Sequence, residues 1–221
     1  METILKAILA DDRARVKELL GKNSRLATAL IDTPRLYESK ILHWIYVGDT
    51  ALHLAAAGFR VEIIELLLAA GADPNSAQNH RRSGPLHYAA DGYIGGSNWN
   101  PERQVETIRI LLDEGAEIDA QDKNGATPLH RAVRTRSAAA VKYLLKRGSD
   151  AKLRNKPGST PFHLAVQNTG HGGTGADLAK AAQREIISTF LAIGLSPKLK
   201  DSNGKTVLES ARSEWIRTML S

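Results

Sequence analysis

Apolar residues recur along this chain in short paired runs. Leu52, Leu54 and Ala55 are followed by Val61, Ile63, Ile64, Leu66, Leu67 and Leu68. Leu86 and Ala89 precede Val105, Ile108, Leu111 and Leu112. Leu129, Ala132 and Val133 precede Val141, Leu144 and Leu145, and Phe162 and Ala165 precede Ile186, Ile187, Phe190 and Leu191. Steps of three and four positions place each run on one helical face. The pattern predicts a two-helix unit, repeated. The second helix stops at glycine in Gly71-Ala72-Asp73, Gly115-Ala116-Glu117 and Gly148-Ser149-Asp150, where a left-handed residue ends the helix. Towards the ends the pattern loosens. Ile4, Leu5, Ile8 and Leu9, then Val16, Leu19 and Leu20, predict an N-terminal helix pair with Lys17, Glu18 and Lys22 facing water. Val207, Leu208, Ala211, Trp215, Ile216 and Leu220 close the apolar core at the other end.

A polar motif opens each unit. Thr127-Pro128-Leu129-His130 returns as Thr160-Pro161-Phe162-His163, and in altered form as Thr50-Ala51-Leu52-His53 and Gly84-Pro85-Leu86-His87. Threonine caps a helix N-terminus, and proline at the first helical position lacks an N–H that would have no partner there. Asp122-Lys123-Asn124-Gly125 just before has turn chemistry, a side-chain acceptor followed by a residue free to take positive φ. Asp201-Ser202-Asn203-Gly204-Lys205-Thr206 rebuilds that turn near the end. The histidines are spaced by 34, 43 and 33 positions, and Glu209 stands 46 beyond His163. Two intervals are long, so two units carry insertions.

Period, motif and stop together resemble the ankyrin repeat, whose unit is about 33 residues long. The likeness covers nearly the whole chain and is to stand-alone ankyrin-repeat proteins, a kind common in bacteria. It implies an all-α solenoid of helix-turn-helix repeats with β-hairpin fingers, in a single domain over 1–221. The N-terminal cap takes 1–44, the repeats 45–78, 79–121, 122–154 and 155–200, and the C-terminal cap 201–221. Insertions fall at 93–103 and 169–182, both between the two helices of their repeat. No helix of such an array buries its apolar face alone, so stability lies in the interfaces between repeats. The chain departs from the pattern in places. Arg82 stands for the finger glycine and Gly84 for the capping threonine, Ala51 replaces proline, and Glu209 replaces histidine. Residues 34–44 read as a long connection with room for a short helix.

Composition narrows the function. The chain has 221 residues and no cysteine, hence no disulfide framework and no thiolate ligand or nucleophile. Met1-Glu2-Thr3-Ile4-Leu5 has no basic stretch leading into a long apolar one, and the apolar run at 63–70 is broken by Glu65. A soluble, cytoplasmic protein without a membrane role is expected. The formal charge of +6 and pI near 9.6 tilt partners towards acidic surfaces.

No catalytic constellation is present: there is no Gly-x-Ser-x-Gly elbow and no His-Glu-x-x-His helix. The adjacent acids Asp11-Asp12 and Asp113-Glu114 point to different helix faces. The resemblance implies that His53, His87, His130 and His163 bond the capping residue and the backbone of a neighbouring repeat. Successive copies lie roughly 10 Å apart, the spacing of packed helices. They cannot share one ion, whose Zn–N bonds are about 2.0–2.1 Å. Gly170-His171-Gly172-Gly173-Thr174-Gly175 lacks the Gly-Lys-Ser/Thr ending of a phosphate loop and reads as a flexible loop. No metal, cofactor or small-molecule substrate is assigned. Trp99, in the first insertion, either folds back on the repeats or offers a binding anchor.

In the family, finger tips and the exposed side of the first helix line a concave groove that binds partners. Carried onto this sequence, the tips include Tyr46, His80, Arg81, Lys123, Asn124 and Lys156. The helix positions include Asp91 and Arg134, with Tyr88 and Arg131 bordering them. The middle of the groove is basic, through Arg81, Arg82, Lys123, Arg131, Arg134, Arg136 and Lys156. The expected function is a non-catalytic scaffold that binds an acidic protein partner, with Tyr46, Tyr88 and Trp99 as anchors. Two alternatives stay open: binding of nucleic acid or another polyanion along the basic stripe, and service as an accessory or inhibitor subunit of an enzyme.

Overall fold

The computed structural model describes residues 1–37, 41, 43–92, 99–167 and 177–221, with the backbone alone for residues 35–37. The glycine-rich stretch at 170–175 and residues 93–98 of the first insertion lie outside these, and so does the loop expectation made for them.

The chain opens with α1 (Glu2–Leu9) and α2 (Arg13–Lys22), then a short 3-10 helix, Ser24–Ala27. Four helix pairs follow: α3 (Ala51–Ala57) with α4 (Val61–Ala69), α5 (Pro85–Ala90) with α6 (Pro101–Asp113), α7 (Pro128–Arg134) with α8 (Ala138–Lys146), and α9 (Pro161–Ala165) with α10 (Asp177–Ala192). The chain closes with α11 (Val207–Ser210) and α12 (Glu214–Leu220). The first helices stack in one row, α1, α3, α5, α7, α9 and α11, and the second in another, α2, α4, α6, α8 and α10. This is the all-α solenoid expected. The apolar runs lie between the rows, with Leu52, Leu54, Ile63, Ile64, Ile108, Leu129, Phe162 and Phe190 fully buried. Helices as short as α9 and α5 are marginal alone in water, so packing between repeats holds them.

The described residues of the 34–44 stretch form strand rather than the short helix for which the sequence left room. β1 (Arg35–Tyr37) and β2 (His43–Ile45) pair antiparallel, with Arg35 opposite Ile45, Leu36 opposite Trp44 and Tyr37 opposite His43. Aromatic and β-branched residues at this density favour a pleated strand over a helix. The C-terminal part of the second insertion, from Asp177, is helical and lengthens α10.

The finger turns follow one design. Asn79, Asp122, Asn155 and Asp201 each accept backbone N–H bonds from within their own turn, among them Ser83 N at 3.1 Å and Ala126 N at 3.0 Å. Arg82 takes φ 52°, the left-handed conformation that glycine supplies at the matching positions 48, 125, 158 and 204. The second finger therefore keeps its shape despite the substitution, at a cost of roughly 1–2 kcal/mol for a non-glycine residue.

The insertions change how the first helix ends. In the uninterrupted repeats a left-handed residue, Phe59 (φ 53°) or Arg136 (φ 62°), turns the chain sharply. Arg60 N then donates to Ala55 O at 3.0 Å, and Ser137 N to Ala132 O at 2.9 Å. In the interrupted repeats the corresponding residues are Gln104 and Gln183, eleven positions before Gly115 and Gly194. Their side-chain amides do the same work: Gln104 Nε2 donates to Ala89 O at 3.0 Å, and Gln183 Nε2 to Ala165 O at 2.7 Å. Each insertion thus comes with its own substitute cap.

Candidate partner-binding surface

The fingers stand side by side through backbone bonds. Lys123 N donates to Arg81 O at 2.7 Å, Lys156 N to Asn124 O at 2.8 Å, and Ser202 N to Gly158 O at 3.1 Å. Before them, Gly48 N bonds Ile31 O at 2.9 Å. Seven positions before each motif His or Glu, the tips carry Tyr46, His80, Lys123, Lys156 and Ser202 in order. The row changes character along its length, from aromatic to cationic.

At the aromatic end, Trp44 stacks on Tyr46 with centroids 6.4 Å apart, and Tyr46 meets His80 edge-on at 4.9 Å. The Arg81 guanidinium lies 5.2 Å from the Tyr46 ring centre and donates to the Tyr46 hydroxyl at 2.6 Å. Trp44 and Val47 remain 48% and 50% exposed. Trp44 was not among the expected site residues, because the strand that presents it was not foreseen. At the other end Lys123, Asn124 and Lys156 are exposed on the tips.

Between these ends lies a self-neutralised centre. Arg131 donates to Asp91 Oδ2 at 2.7 Å, to Asp122 Oδ2 at 2.7 Å and to Ser83 Oγ at 2.8 Å. Asp91 also receives Arg134 at 3.3 Å and faces His43 Nε2 at 3.4 Å. Burial alone would raise the Asp91 carboxyl, but the His43 hydrogen bond and the charges of Arg131, His43 and Arg134 hold it well below the usual carboxylate range. Asp122 is held down in the same way, by Arg131 and by backbone N–H groups, against its burial. Tyr88 donates to Asp49 Oδ2 at 2.7 Å, and burial followed by that carboxylate pushes its hydroxyl pKa far up.

These contacts correct three expectations. Arg131 is 3% exposed and Tyr88 1%, so neither offers a surface to a partner; both are internal fasteners. Arg136 is also buried, in the turn between α7 and α8 rather than in the groove. Trp99 folds back: it is partly buried, with Nε1 donating to Gln104 Oε1 at 3.3 Å. Arg134 stays 54% exposed, and Asp91 is nearly covered.

The four motif histidines are consumed by the fold. His53 Nδ1 accepts from Thr50 N at 3.0 Å, and its Nε2 reaches Ser83 O at 3.0 Å. His87 accepts from Gly84 N at 3.2 Å and reaches Ala126 O at 3.0 Å. His130 and His163 reach Ser159 O and Lys205 O, both at 3.1 Å. Backbone N–H groups donating to Nδ1 of His53, His87 and His130 fix the neutral tautomer with its proton on Nε2. Each ring therefore ties its own helix cap to the next finger. Burial pushes all four pKa values down, His87 to about 4 with help from Arg131. Glu209 keeps the capping half of this arrangement, accepting from Thr206 N at 2.7 Å.

Charge is distributed unevenly. Most cations on or just after the second-row helices are paired, as in Arg103 with Glu62 at 3.0 Å, Arg109 with Glu106 and Asp113 at 2.7 Å, and Arg147 with Asp113 at 2.9 Å, while Lys17, Lys146 and Arg184 have no ion pair among the described residues. On the finger side Arg81, Arg82, Lys123, Lys152, Arg154, Lys156 and Lys198 have no ion-pair partner among the described residues, while Lys200 and Lys205 lie within charge range of Glu209. No described helix is long and apolar enough to cross a membrane.

Known proteins share this pattern. Residues 47–80 match the family model of the ankyrin repeat, and residues 97–180 the model of ankyrin repeats in three copies. Over 92 residues the chain is 35% identical to ankyrin repeat and SOCS box protein 6 of Mus musculus, which takes in 42% of this chain and 20% of that protein. It is 36% identical over 88 residues to alpha-latrotoxin-Lhe1a of Latrodectus hesperus, covering 39% of this chain and 6% of the toxin. It is 40% identical over 86 residues to the E3 ubiquitin-protein ligase Ufd4 of Drosophila melanogaster, covering 39% of this chain and 3% of the ligase. The chain spans a fifth or less of the length of these relatives. With the motif, the two helix rows and the histidine ties in agreement, the chain belongs to the ankyrin-repeat family.

Proposed function

We propose that this chain is a non-catalytic scaffold that binds an acidic protein partner across its finger tips and the exposed side of its first-row helices. Ankyrin repeats are general protein-interaction modules, and a solenoid presents an extended surface rather than an enclosed pocket. The observation that carries the reading is the split in charge pairing. Most cations on the second-row helices pair with carboxylates, Lys17, Lys146 and Arg184 excepted, whereas Arg81, Arg82, Lys123 and Lys156 on the fingers have no ion-pair partner among the described residues. Unpaired cations on one face supply the complementarity that steers an acidic partner. The binding residues on this reading are Tyr46, His80, Arg81, Lys123, Asn124, Arg134 and Lys156, joined by Trp44. Arg131 and Asp91 shape the surface from beneath. The cysteine-free chain suits a reducing compartment, and we assign it to the cytoplasm.

The test is affinity capture from native cell extract, with and without nuclease, comparing the wild type with a Lys123→Glu/Lys156→Glu variant. A discrete protein that survives nuclease and is lost by the variant is expected. Equal capture by the variant removes the finger tips as the site. Loss of all captured material on nuclease treatment moves the reading to nucleic acid or another polyanion, for which the exposed Trp44 stacked on Tyr46 supplies a base-stacking platform. If the captured protein is an enzyme whose rate changes on binding, this chain is its accessory or inhibitor subunit.

A further inference from the structure

The finger row changes from aromatic to cationic along its length, with an internally neutralised patch between. Leu30, Trp44 and Val47 are large apolar side chains left 44%, 48% and 50% exposed, and all three lie at the N-terminal end. Ile31, next to Leu30, bonds Gly48 and Asp49 through its backbone, which sets Leu30 beside the first finger. Trp44 stacks on Tyr46, so the exposed indole is held in place rather than swinging freely. An ordered aromatic ring loses little entropy on binding and makes an efficient anchor. Two fingers further on, exposed Lys123 and Lys156 replace the aromatic rings at the same position of the turn. Between them the carboxylates of Asp91 and Asp122 are spent on Arg131, which leaves Arg81, Arg82 and Arg134 as the cations nearest the centre and no large exposed apolar side chain there among the described residues.

We infer that the partner is a protein segment of divided chemistry: an apolar, aromatic-containing part seated on the first two fingers, and an acidic part on the third and fourth. This rests on the protein-binding reading above and adds to it the partner's polarity along the groove. Packed helices stand roughly 10 Å apart. Four fingers therefore span roughly 30 Å, which an extended segment covers with about nine or ten residues at ~3.3 Å each. Charge selects the acidic end; the exposed apolar ring and its neighbours select the other.

The experiment uses three fluorescent probes of equal net charge: a twelve-residue peptide with Trp and Leu at one end and Glu at the other, a uniformly Glu-rich peptide, and a single-stranded oligonucleotide. Each is titrated against the wild type, a Trp44→Ser/Val47→Ser variant and a Lys123→Glu/Lys156→Glu variant. All four positions are exposed, and unchanged circular dichroism checks that the variants fold. The divided peptide is expected to bind the wild type about tenfold or more tighter than the uniform one. Trp44→Ser/Val47→Ser should erase that advantage and leave the uniform peptide unaffected. Lys123→Glu/Lys156→Glu should weaken both peptides and flatten their dependence on salt. Equal affinity for the two peptides, or indifference of the divided peptide to Trp44→Ser/Val47→Ser, overturns the inference while leaving the acidic-partner reading intact. Indifference of both peptides to the lysine reversals overturns that reading and this one together. Tighter binding of the oligonucleotide than of either peptide overturns both in favour of nucleic acid.

Discussion

Arg131 and Arg134 sit one helical turn apart and look interchangeable in the sequence, yet the fold gives them opposite tasks. Arg131 is buried between Asp91 and Asp122, while Arg134 reaches Asp91 from solvent. Removing one partner of a buried ion pair leaves an uncompensated charge, which costs about 3–5 kcal/mol, whereas an exposed pair is worth about 1 kcal/mol or less. Arg131→Ala is therefore expected to lose most of that larger amount in urea unfolding, and Arg134→Ala almost nothing. Comparable losses for the two would mean that the network around Asp91 is not built as described. The sequence held no sign of this difference. Arg131 occupies a position filled by Leu54 in one repeat and Tyr88 in another. Its carboxylates come from an adjacent repeat and from its own finger, and residue identity alone does not say which acids converge on it.

At the scale of the element, most of the helices were legible and one hairpin was not. The helical runs could be read because apolar spacing, threonine or proline starts and glycine stops all agree on the same boundaries. Residues 34–44 have no such agreement, and their pairing into β1 and β2 depends on a partner strand that local pattern does not name. The two interrupted repeats carried a sign that went unread: glutamine at the same distance before the terminal glycine in both, where the uninterrupted repeats have Arg60 and Ser137. Its purpose became visible only with the carbonyl it serves. The amide of Gln104 bonds Ala89 O and Ala90 O, and without it those buried acceptors lose their partner. Gln104→Ala is thus expected to cost about 1–3 kcal/mol. Ser137→Ala, at the matching position of an uninterrupted repeat, should stay within about 0.5 kcal/mol, since there the backbone N–H makes the bond and the hydroxyl has no hydrogen-bond partner among the described residues. Thermal melts of both variants compare the two kinds of cap, and equal losses would refute the substitution of side chain for backbone.

For the whole molecule, the histidines link the repeats into one titrating system. Each motif ring spans two repeats, so the same four groups that hold the stack also report on its protonation. The motif that made the family legible is the same motif that carries this property, whereas the charge network at the groove centre and the aromatic finger were not readable from it. All four rings have pKa values lowered from 6.5, mainly by burial. A lowered folded value means that the unfolded chain binds protons the folded one refuses. The stability these rings contribute is complete above about pH 7, declines as pH falls below 6.5, and for His87 is exhausted near pH 4. For His87 alone the fall from 6.5 to about 4 corresponds to roughly 3 kcal/mol. The carboxylates of Asp91 and Asp122 act in the same direction but at lower pH, because their ordinary value is 3.8 and the fold depresses it. Two stages of acid loss are therefore expected, one from the rings that begins as pH falls below 6.5 and for His87 ends near pH 4, and a second below pH 4 from the charge network. Urea unfolding at half-unit steps from pH 8 to 2 separates them, since the carboxylates contribute no slope at the upper end. Stability that is level from pH 7 to 5 would show that the rings do not hold the repeats together in the neutral form. A decline beginning near pH 6.5 would tie the recurrence of His53, His87, His130 and His163 to the cohesion of the array.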